Sequence, residues 1–154
     1  MSLLRELLGA AVIVGSGLTA GVFFAIAVSV MPTVFTLPPD RYVEIHRSLG
    51  KGYHPVMPAI VAVVLVVDVA LVILSPHAAT RALFAVAAAC TVGVQLVSQF
   101  GNVPINKRIA VVDAAAIPAG WTDPRPAWRF WHNIRTVFAV AALAAGGLAV
   151  ALAP

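Results

Sequence analysis

The chain has 154 residues, of which 61% are apolar and only 10% are charged, whereas soluble domains average roughly 45–50% apolar and about 25% charged residues. So few charges cannot cover the surface of a soluble enzyme, and the high apolar content excludes a disordered chain. The net charge of +4 does not point to a nucleic-acid partner, because basic residues beside apolar segments commonly set membrane topology. The composition therefore predicts an integral membrane protein.

Four apolar segments are long enough to span a bilayer, which takes about 20 residues per helix. We expect one membrane domain over residues 1–154 with an all-α fold: a four-transmembrane-helix bundle with short interfacial helices in the 1–2 and 3–4 loops. Pro32 is expected to end the first segment, which is too long for the apolar core of a signal peptide. The predicted spans are residues 7–31, 57–74, 82–101 and 136–153.

Two long loops, residues 32–56 and 102–134, are expected on one side of the bundle, opposite both termini. That side carries most of the basic residues, whereas only Arg5 and Arg81 belong to the other side. This bias predicts long loops facing the cytoplasm and termini outside, in a bacterial-type inner membrane. The basic residues of the long-loop side are Arg41, Arg47, Lys51, Lys107, Arg108, Arg125, Arg129 and Arg135.

The long loops carry helix signals of their own. Pro38-Pro39-Asp40 followed by residues 41–49 is typical of a short capped helix, and Pro126 marks the start of another helix over residues 126–135. Three tryptophans are expected near the lipid headgroups, where indoles are enriched. They are Trp121, Trp128 and Trp131.

The third segment carries polar residues at spacings of three and four, which place them on one face of a helix. This polar stripe consists of Thr91, Gln95, Ser98 and Asn102, and Asn106 continues it into the loop. Asp68 lies near the middle of the second segment, where an ionisable group is costly and should face a partner inside the bundle. Gln95 or Thr91 is the expected partner, and the alternative is that these groups only hold helices together.

Small residues mark two helix faces that allow close packing. Gly17 and Gly21 form a small-xxx-small pattern in the first segment, and alanine and glycine dominate the fourth. These faces could pack within the chain or in a homo-oligomer.

Three histidines are expected at the membrane face formed by the long loops, where they could transfer protons near neutral pH. They are His46, His54 and His132, accompanied by Tyr53, Asn102, Asn106, Asn133, Arg135 and Trp131. No pair has the i, i+4 spacing of a helical metal site, so a metal or haem held by these histidines would depend on tertiary proximity.

Three segments carry a family resemblance that covers nearly the whole chain. The first helix ends Gly21-Val-Phe-Phe-Ala…Val-Met-Pro32, the third is followed by Asn102-Val-Pro-Ile-Asn106, and the last opens Trp128…Trp131-His132-Asn133-Ile134-Arg135-Thr136. Together they resemble the anthrone oxygenase-like family of small membrane proteins. This resemblance implies a monooxygenase, an oxidoreductase that converts an anthrone- or polyketide-like aromatic into a quinone with dioxygen and no cofactor.

Such a reaction needs a base, donors for an oxyanion and an apolar cavity for a flat substrate. On this resemblance, His54 or His132 could be the base. Asn102, Asn106 and Arg135 could hold the oxyanion. The rings could stack on Tyr53, Phe100, Trp128 and Trp131.

Two other functions fit the same residues. The first is a metal- or haem-dependent membrane oxidoreductase that uses His46, His54 and His132. The second is a non-enzymatic small-molecule binder or transporter subunit, in which Asp68 and Gln95 would matter more than the histidines. The expected partners are a small apolar aromatic, dioxygen and the lipid bilayer, with no nucleic acid.

Overall fold

The computed structural model describes residues 3–153, which are mostly helical and contain no strand. Four helical segments are long and apolar enough to span a membrane, so the predicted all-α, four-span fold is confirmed and the chain is an integral membrane protein. These segments are Leu3–Phe35, Val56–Leu74, Ala78–Ala110 and Arg125–Ala151.

Two of the four segments are interrupted by a π-helical turn, a wider turn that closes i→i−5 hydrogen bonds. The first consists of α1, the turn Ile26–Val30 and α2, and the third consists of α5, the turn Ser98–Asn102 and α6. A further helix, α3, lies between the first and second spans. The helices are α1 (Leu3–Ala25), α2 (Met31–Phe35), α3 (Pro39–Tyr53), α4 (Val56–Leu74), α5 (Ala78–Val97), α6 (Val103–Ala110) and α7 (Arg125–Ala151).

The first span does not end at Pro32, as the sequence analysis expected, but continues to Phe35. A proline inside a regular α-helix clashes with the carbonyl four residues earlier and lacks its own N–H. Here the π-helical turn ends two residues before Pro32, and the Met31 N–H donates to the carbonyl of Ile26. The wider turn accommodates Pro32, so the helix passes through it.

The third span continues in the same way beyond Gly101, where its apolar segment ends. The Val103 N–H donates to the carbonyl of Ser98, and Pro104 follows in the first turn of α6. The segment Asn102–Asn106 therefore lies on a helix at the end of the span rather than in a loop.

The two helices predicted in the long loops differ from the observed helices in length or in position. In the 1–2 loop, α3 begins at Pro39 without a side-chain cap and extends to Tyr53, four residues beyond the expected end. Residues 126–135 do not form a separate interfacial helix, because they are the first turns of α7. The 3–4 connection thus consists of α6 and residues 111–124.

The spans form a square bundle in which α1 packs against α4 and α7, and α5 packs against the same two helices. Contact between α4 and α5 places Asp68 beside Thr91, whose hydroxyl oxygen lies 3.2 Å from a carboxyl oxygen of Asp68. Of the two predicted partners of Asp68, Thr91 is therefore the one that contacts it. Gln95, the other expected partner, lines a cavity elsewhere in the bundle.

Candidate functional site

A cavity of about 210 Å³ lies where the two π-helical turns, the end of α3 and the start of α4 meet α6 and α7. Most of its walls are apolar, including Val22, Phe23, Ile26, Met57 and Val94. Polar side chains enter it from α3, from the third span, from α7 and from the connection between α3 and α4. They are His46, Tyr53, His54, Gln95, Ser98, Gln99, Asn106 and Arg135.

His46 is held in one orientation and one tautomer by Asn106. The indole N–H of Trp128 donates to Oδ1 of Asn106 at 2.9 Å, and Nε2 of His46 lies 3.0 Å from the same oxygen. Because an indole nitrogen can only donate, the Asn106 atom between them must be the carbonyl oxygen. Nε2 of His46 therefore carries the proton and donates it, which leaves Nδ1 with a lone pair.

The surroundings of His46 keep its imidazole neutral. Burial lowers the pKa of His46 below its ordinary value of 6.5, although the hydrogen bond with Asn106 acts in the other direction. The ring also packs edge-on against Tyr42 and Trp128, with centroids 5.4 and 5.3 Å away. Within residues 3–153, Nδ1 of His46 has no hydrogen bond, so this nitrogen can accept a proton from a bound molecule.

His132 is fully buried beside the cavity, and both of its ring nitrogens are engaged. Nε2 lies 2.9 Å from the carbonyl oxygen of Phe23, which can only accept, so this nitrogen carries the proton. Nδ1 accepts from the guanidinium of Arg135 at 2.8 and 3.2 Å. His132 consequently has no free lone pair in this arrangement, which does not support its expected role as the base.

Arg135 reaches the cavity with its positive charge unneutralised. Its guanidinium lies over the ring of Phe23 at 4.5 Å and is oriented by the neutral His132. No carboxylate within residues 3–153 forms an ion pair with it, in contrast to Arg41 and Arg125, which have Glu44 and Asp123. An unpaired, half-buried guanidinium is a suitable binding group for an anion.

Asn102 supports the site from behind the cavity rather than lining it. The side chain is fully buried, and its Nδ2 donates to the backbone carbonyl of Trp128 at 3.2 Å. Trp128 in turn stacks on His132, with ring centroids 5.2 Å apart. Asn102 therefore fixes the tryptophan that separates the two histidines, and the arrangement does not support the expected contact with an oxyanion.

The structure brings two of the four expected aromatic residues to the cavity. Tyr53 and Trp128 line it. Phe100 is 78% exposed on the outside of its helix, and Trp131 packs against Gly101, where a Cβ would lie 2.6 Å from the indole ring. Neither of these two residues is placed to stack on a molecule in the cavity.

The three histidines do not form a ligand set. His54 lines the cavity mouth and is exposed, whereas His132 has both nitrogens engaged and His46 has one. Among the residues that the structure describes, no group of three or more histidine, cysteine or acidic side chains could hold a metal ion. The geometry therefore does not support the alternative in which these three histidines hold a metal ion.

Gln99 lines the cavity but was not among the predicted site residues. Gln95 was predicted as a partner of Asp68 and Ser98 as part of the polar stripe, and both also line the cavity. Gln95 and Gln99 are one helical turn apart and line the same cavity wall as Ser98. Their four-residue spacing was the available signal. Asn133, expected near the histidines, is exposed on α7 and does not line the cavity.

Comparison with known proteins identifies the family of the chain. A family model described as anthrone oxygenase matches residues 46–145, from His46 on α3 to the middle of α7. No curated protein and no solved structure matches the chain. The match covers well over half of the 154 residues and includes His46, Asn106 and Arg135. The chain belongs to the anthrone oxygenase family.

Proposed function

We propose that this protein is a membrane oxygenase that uses dioxygen to oxidise a small, flat, anthrone-like aromatic in the cavity, with His46 as the base. The family supports an oxygenase role. The observation that carries the proposal is the fixed tautomer of His46, whose Nδ1 lone pair is free in a cavity that the unpaired Arg135 also lines. His54 is the weaker candidate, because no hydrogen bond within residues 3–153 orients its exposed ring.

The reaction begins with removal of a proton from the CH₂ carbon between two aromatic rings. Nδ1 of His46 accepts this proton, and Asn106 stabilises the resulting imidazolium because its carbonyl oxygen still accepts from Nε2. The electron pair left on the substrate spreads onto its carbonyl oxygen. Arg135 and the free amide N–H groups of Asn106 are the donors for that oxyanion.

Oxidation then needs only dioxygen, because the substrate supplies every electron. The carbanion transfers an electron to dioxygen, and recombination forms a C–O bond and a peroxide anion. The peroxide takes the proton back from His46 and becomes a hydroperoxide. Removal of the second C–H proton by His46 breaks the O–O bond, forms the ketone, and expels hydroxide, which takes that proton and leaves as water. One oxygen atom enters the product and the other becomes water.

The membrane setting suits this chemistry. The walls of the cavity are mostly apolar side chains from the spans, so a flat hydrophobic substrate can leave water or lipid to enter it. Tyr53 and Trp128 offer aromatic surfaces on which its rings can stack. Gln95, Ser98 and Gln99 provide hydrogen-bonding groups along one wall that could select hydroxyl or carbonyl substituents.

The test is turnover of anthrone by the purified protein in lipid nanodiscs, measured as anthraquinone formation and oxygen uptake above the uncatalysed background. Heavy-isotope dioxygen should label the new ketone oxygen. We expect His46→Gln to lower turnover by about 100-fold or more, the usual contribution of a general base. The matched control is His77→Gln, since His77 is exposed outside the cavity, beside the short turn before α5.

Three results separate the outcomes. Loss of turnover in His46→Gln with normal turnover in His77→Gln supports the assignment. Normal turnover in His46→Gln together with loss in His54→Gln would show that the base is His54. Absence of anthrone oxidation above background by the folded wild-type protein would contradict the proposed function for this substrate.

A further inference from the structure

The oxidation chemistry needs a donor for the oxyanion, but it does not require that donor to carry a full, unpaired positive charge before the oxyanion forms, as Arg135 does. A charged group taken out of water is costly unless a partner of opposite charge accompanies it. The orienting partner here is His132, whose imidazole is held neutral by its hydrogen bonds to Phe23 and Arg135. A neutral lone pair fixes the direction of a guanidinium but leaves its whole charge in place.

No other side chain of the cavity cancels that charge. The lining includes no aspartate or glutamate. Of the six acidic residues in the chain, Asp68 lies beside Thr91, and Glu44 and Asp123 are paired with exposed or loop-end arginines. The remaining polar groups of the lining, such as Gln95 and Asn106, are neutral amides or hydroxyls. The cavity therefore carries an excess positive charge within apolar walls.

The guanidinium also has hydrogen-bond donors to spare. His132 receives bonds from Nε and one Nη of Arg135. The other Nη has no hydrogen bond within residues 3–153, and the residue lines the cavity. Charge-assisted hydrogen bonds from arginine to an anionic oxygen are stronger than those to neutral acceptors.

We infer that the cavity binds its ligand as a flat aromatic monoanion, a phenolate or a carboxylate, whose charged oxygen contacts Arg135. The apolar walls and the aromatic surfaces of Tyr53 and Trp128 select the ring system, and the guanidinium selects the charge. His132 is a positioning residue, since it acts through Arg135 and does not itself line the cavity. This inference deepens the proposed function, because it assigns a substrate class to the same cavity.

The experiment compares two unreactive probes of the same shape, 9-anthracenecarboxylate and neutral 9-(hydroxymethyl)anthracene. Binding to the full protein in nanodiscs is followed by energy transfer from tryptophan to anthracene, with empty nanodiscs as the blank. We expect the carboxylate to bind about ten-fold more tightly or better, as one charge-assisted hydrogen bond provides. Arg135→Gln should remove this preference, and Arg135→Lys should retain part of it because the charge remains.

A matched control is Arg129→Gln, since Arg129 is an exposed arginine of the same helix that does not line the cavity. Its probe preference should equal that of the wild type. His132→Phe should reduce the preference for the carboxylate more than the affinity for the neutral probe, because it removes the lone pair that orients Arg135. A purely structural role for His132 would weaken binding of both probes equally.

The results also separate this inference from the proposed function. Equal binding of the two probes by the wild type, or a preference that survives in Arg135→Gln, would overturn the inference even if anthrone is oxidised. A preference that depends on Arg135 supports the inference even if anthrone is not turned over.

Discussion

The two ends of the bundle use polar groups differently. At the end near the termini, polar side chains bond within a few residues of their own position: Ser75 donates to the carbonyl of Leu71 at 2.6 Å, and Arg81 donates to that of Ser75 at 2.9 Å. At the cavity end, several hydrogen bonds join distant segments, such as those of His46 with Asn106, 60 positions apart, and of Phe23 with His132, 109 positions apart. Only the second pattern depends on the tertiary fold.

The packing of side chains between the spans also differs between the two ends. Near the termini, a closed cluster of Val12, Val64, Leu71, Phe84 and Ala149 fills the space between the spans. At the other end, the π-helical turns and α3 surround a cavity whose polar groups keep unused donors and lone pairs. Apolar clusters fill both ends of the bundle, but only the cavity end adds a long-range polar network that leaves groups free for a ligand.

The largest expected effect on stability is at Arg125, which ties the cavity end together. Its guanidinium donates to the carbonyls of Val34 and Leu37 at 2.9 and 2.7 Å and pairs with Asp123. Arg125→Met keeps the apolar stem but leaves buried carbonyls without a donor, so the free energy of unfolding should fall by about 2–3 kcal/mol. Thermal unfolding in detergent measures this change.

Arg41→Met is the matched control, since the ion pair of Arg41 with Glu44 is exposed and should contribute at most about 0.5 kcal/mol. The pKa of Asp123 reports the same network. Burial acts to raise this pKa, but hydrogen bonds and charge from Arg125 outweigh it and hold the pKa below its ordinary value. Equal melting temperatures for the two arginine variants would contradict the proposal that Arg125 stabilises the cavity end.

A smaller effect is expected from glycine substitutions in the apolar packing. A Cβ at Gly15 would lie 2.5 Å from Cγ2 of Val64, whereas nothing lies within 4 Å of one at Gly17. Gly15→Ala should destabilise the protein by about 1–2 kcal/mol through overpacking. Gly17→Ala, two residues along the same helix, should stabilise it by up to about 1 kcal/mol through helix propensity. The same detergent melts decide between them, and stabilisation by Gly15→Ala would contradict the close approach of α1 and α4.

The fold was predictable from the sequence to the extent that hydropathy determines it. Apolar length identifies the four spans, because each must cross the hydrocarbon layer. It does not locate their ends, since the π-helical turns before Pro32 and Pro104 carry both helices past prolines that usually end a helix. The periodicity of apolar residues does not predict such a turn.

The residues of the site were predictable in part, but their roles were not. The sequence indicates that histidines, amides and Arg135 lie on one membrane face. Which imidazole keeps a free lone pair depends on contacts with distant segments: Asn106 for His46, and the Phe23 carbonyl for His132. The same contacts assign Thr91, and not Gln95, to Asp68.

The most direct test of the account is the pH dependence of kcat/KM for anthrone oxidation. A base must be deprotonated to act, so the rate should rise with pH through the pKa of His46 and be constant above it. Because burial lowers that pKa, the midpoint of the acidic limb should lie below 6.5, and activity at pH 7 should exceed half of its plateau value. A midpoint at or above 6.5, or an acidic limb that is unchanged in His46→Gln, would contradict the assignment of a half-buried, neutral His46 as the base.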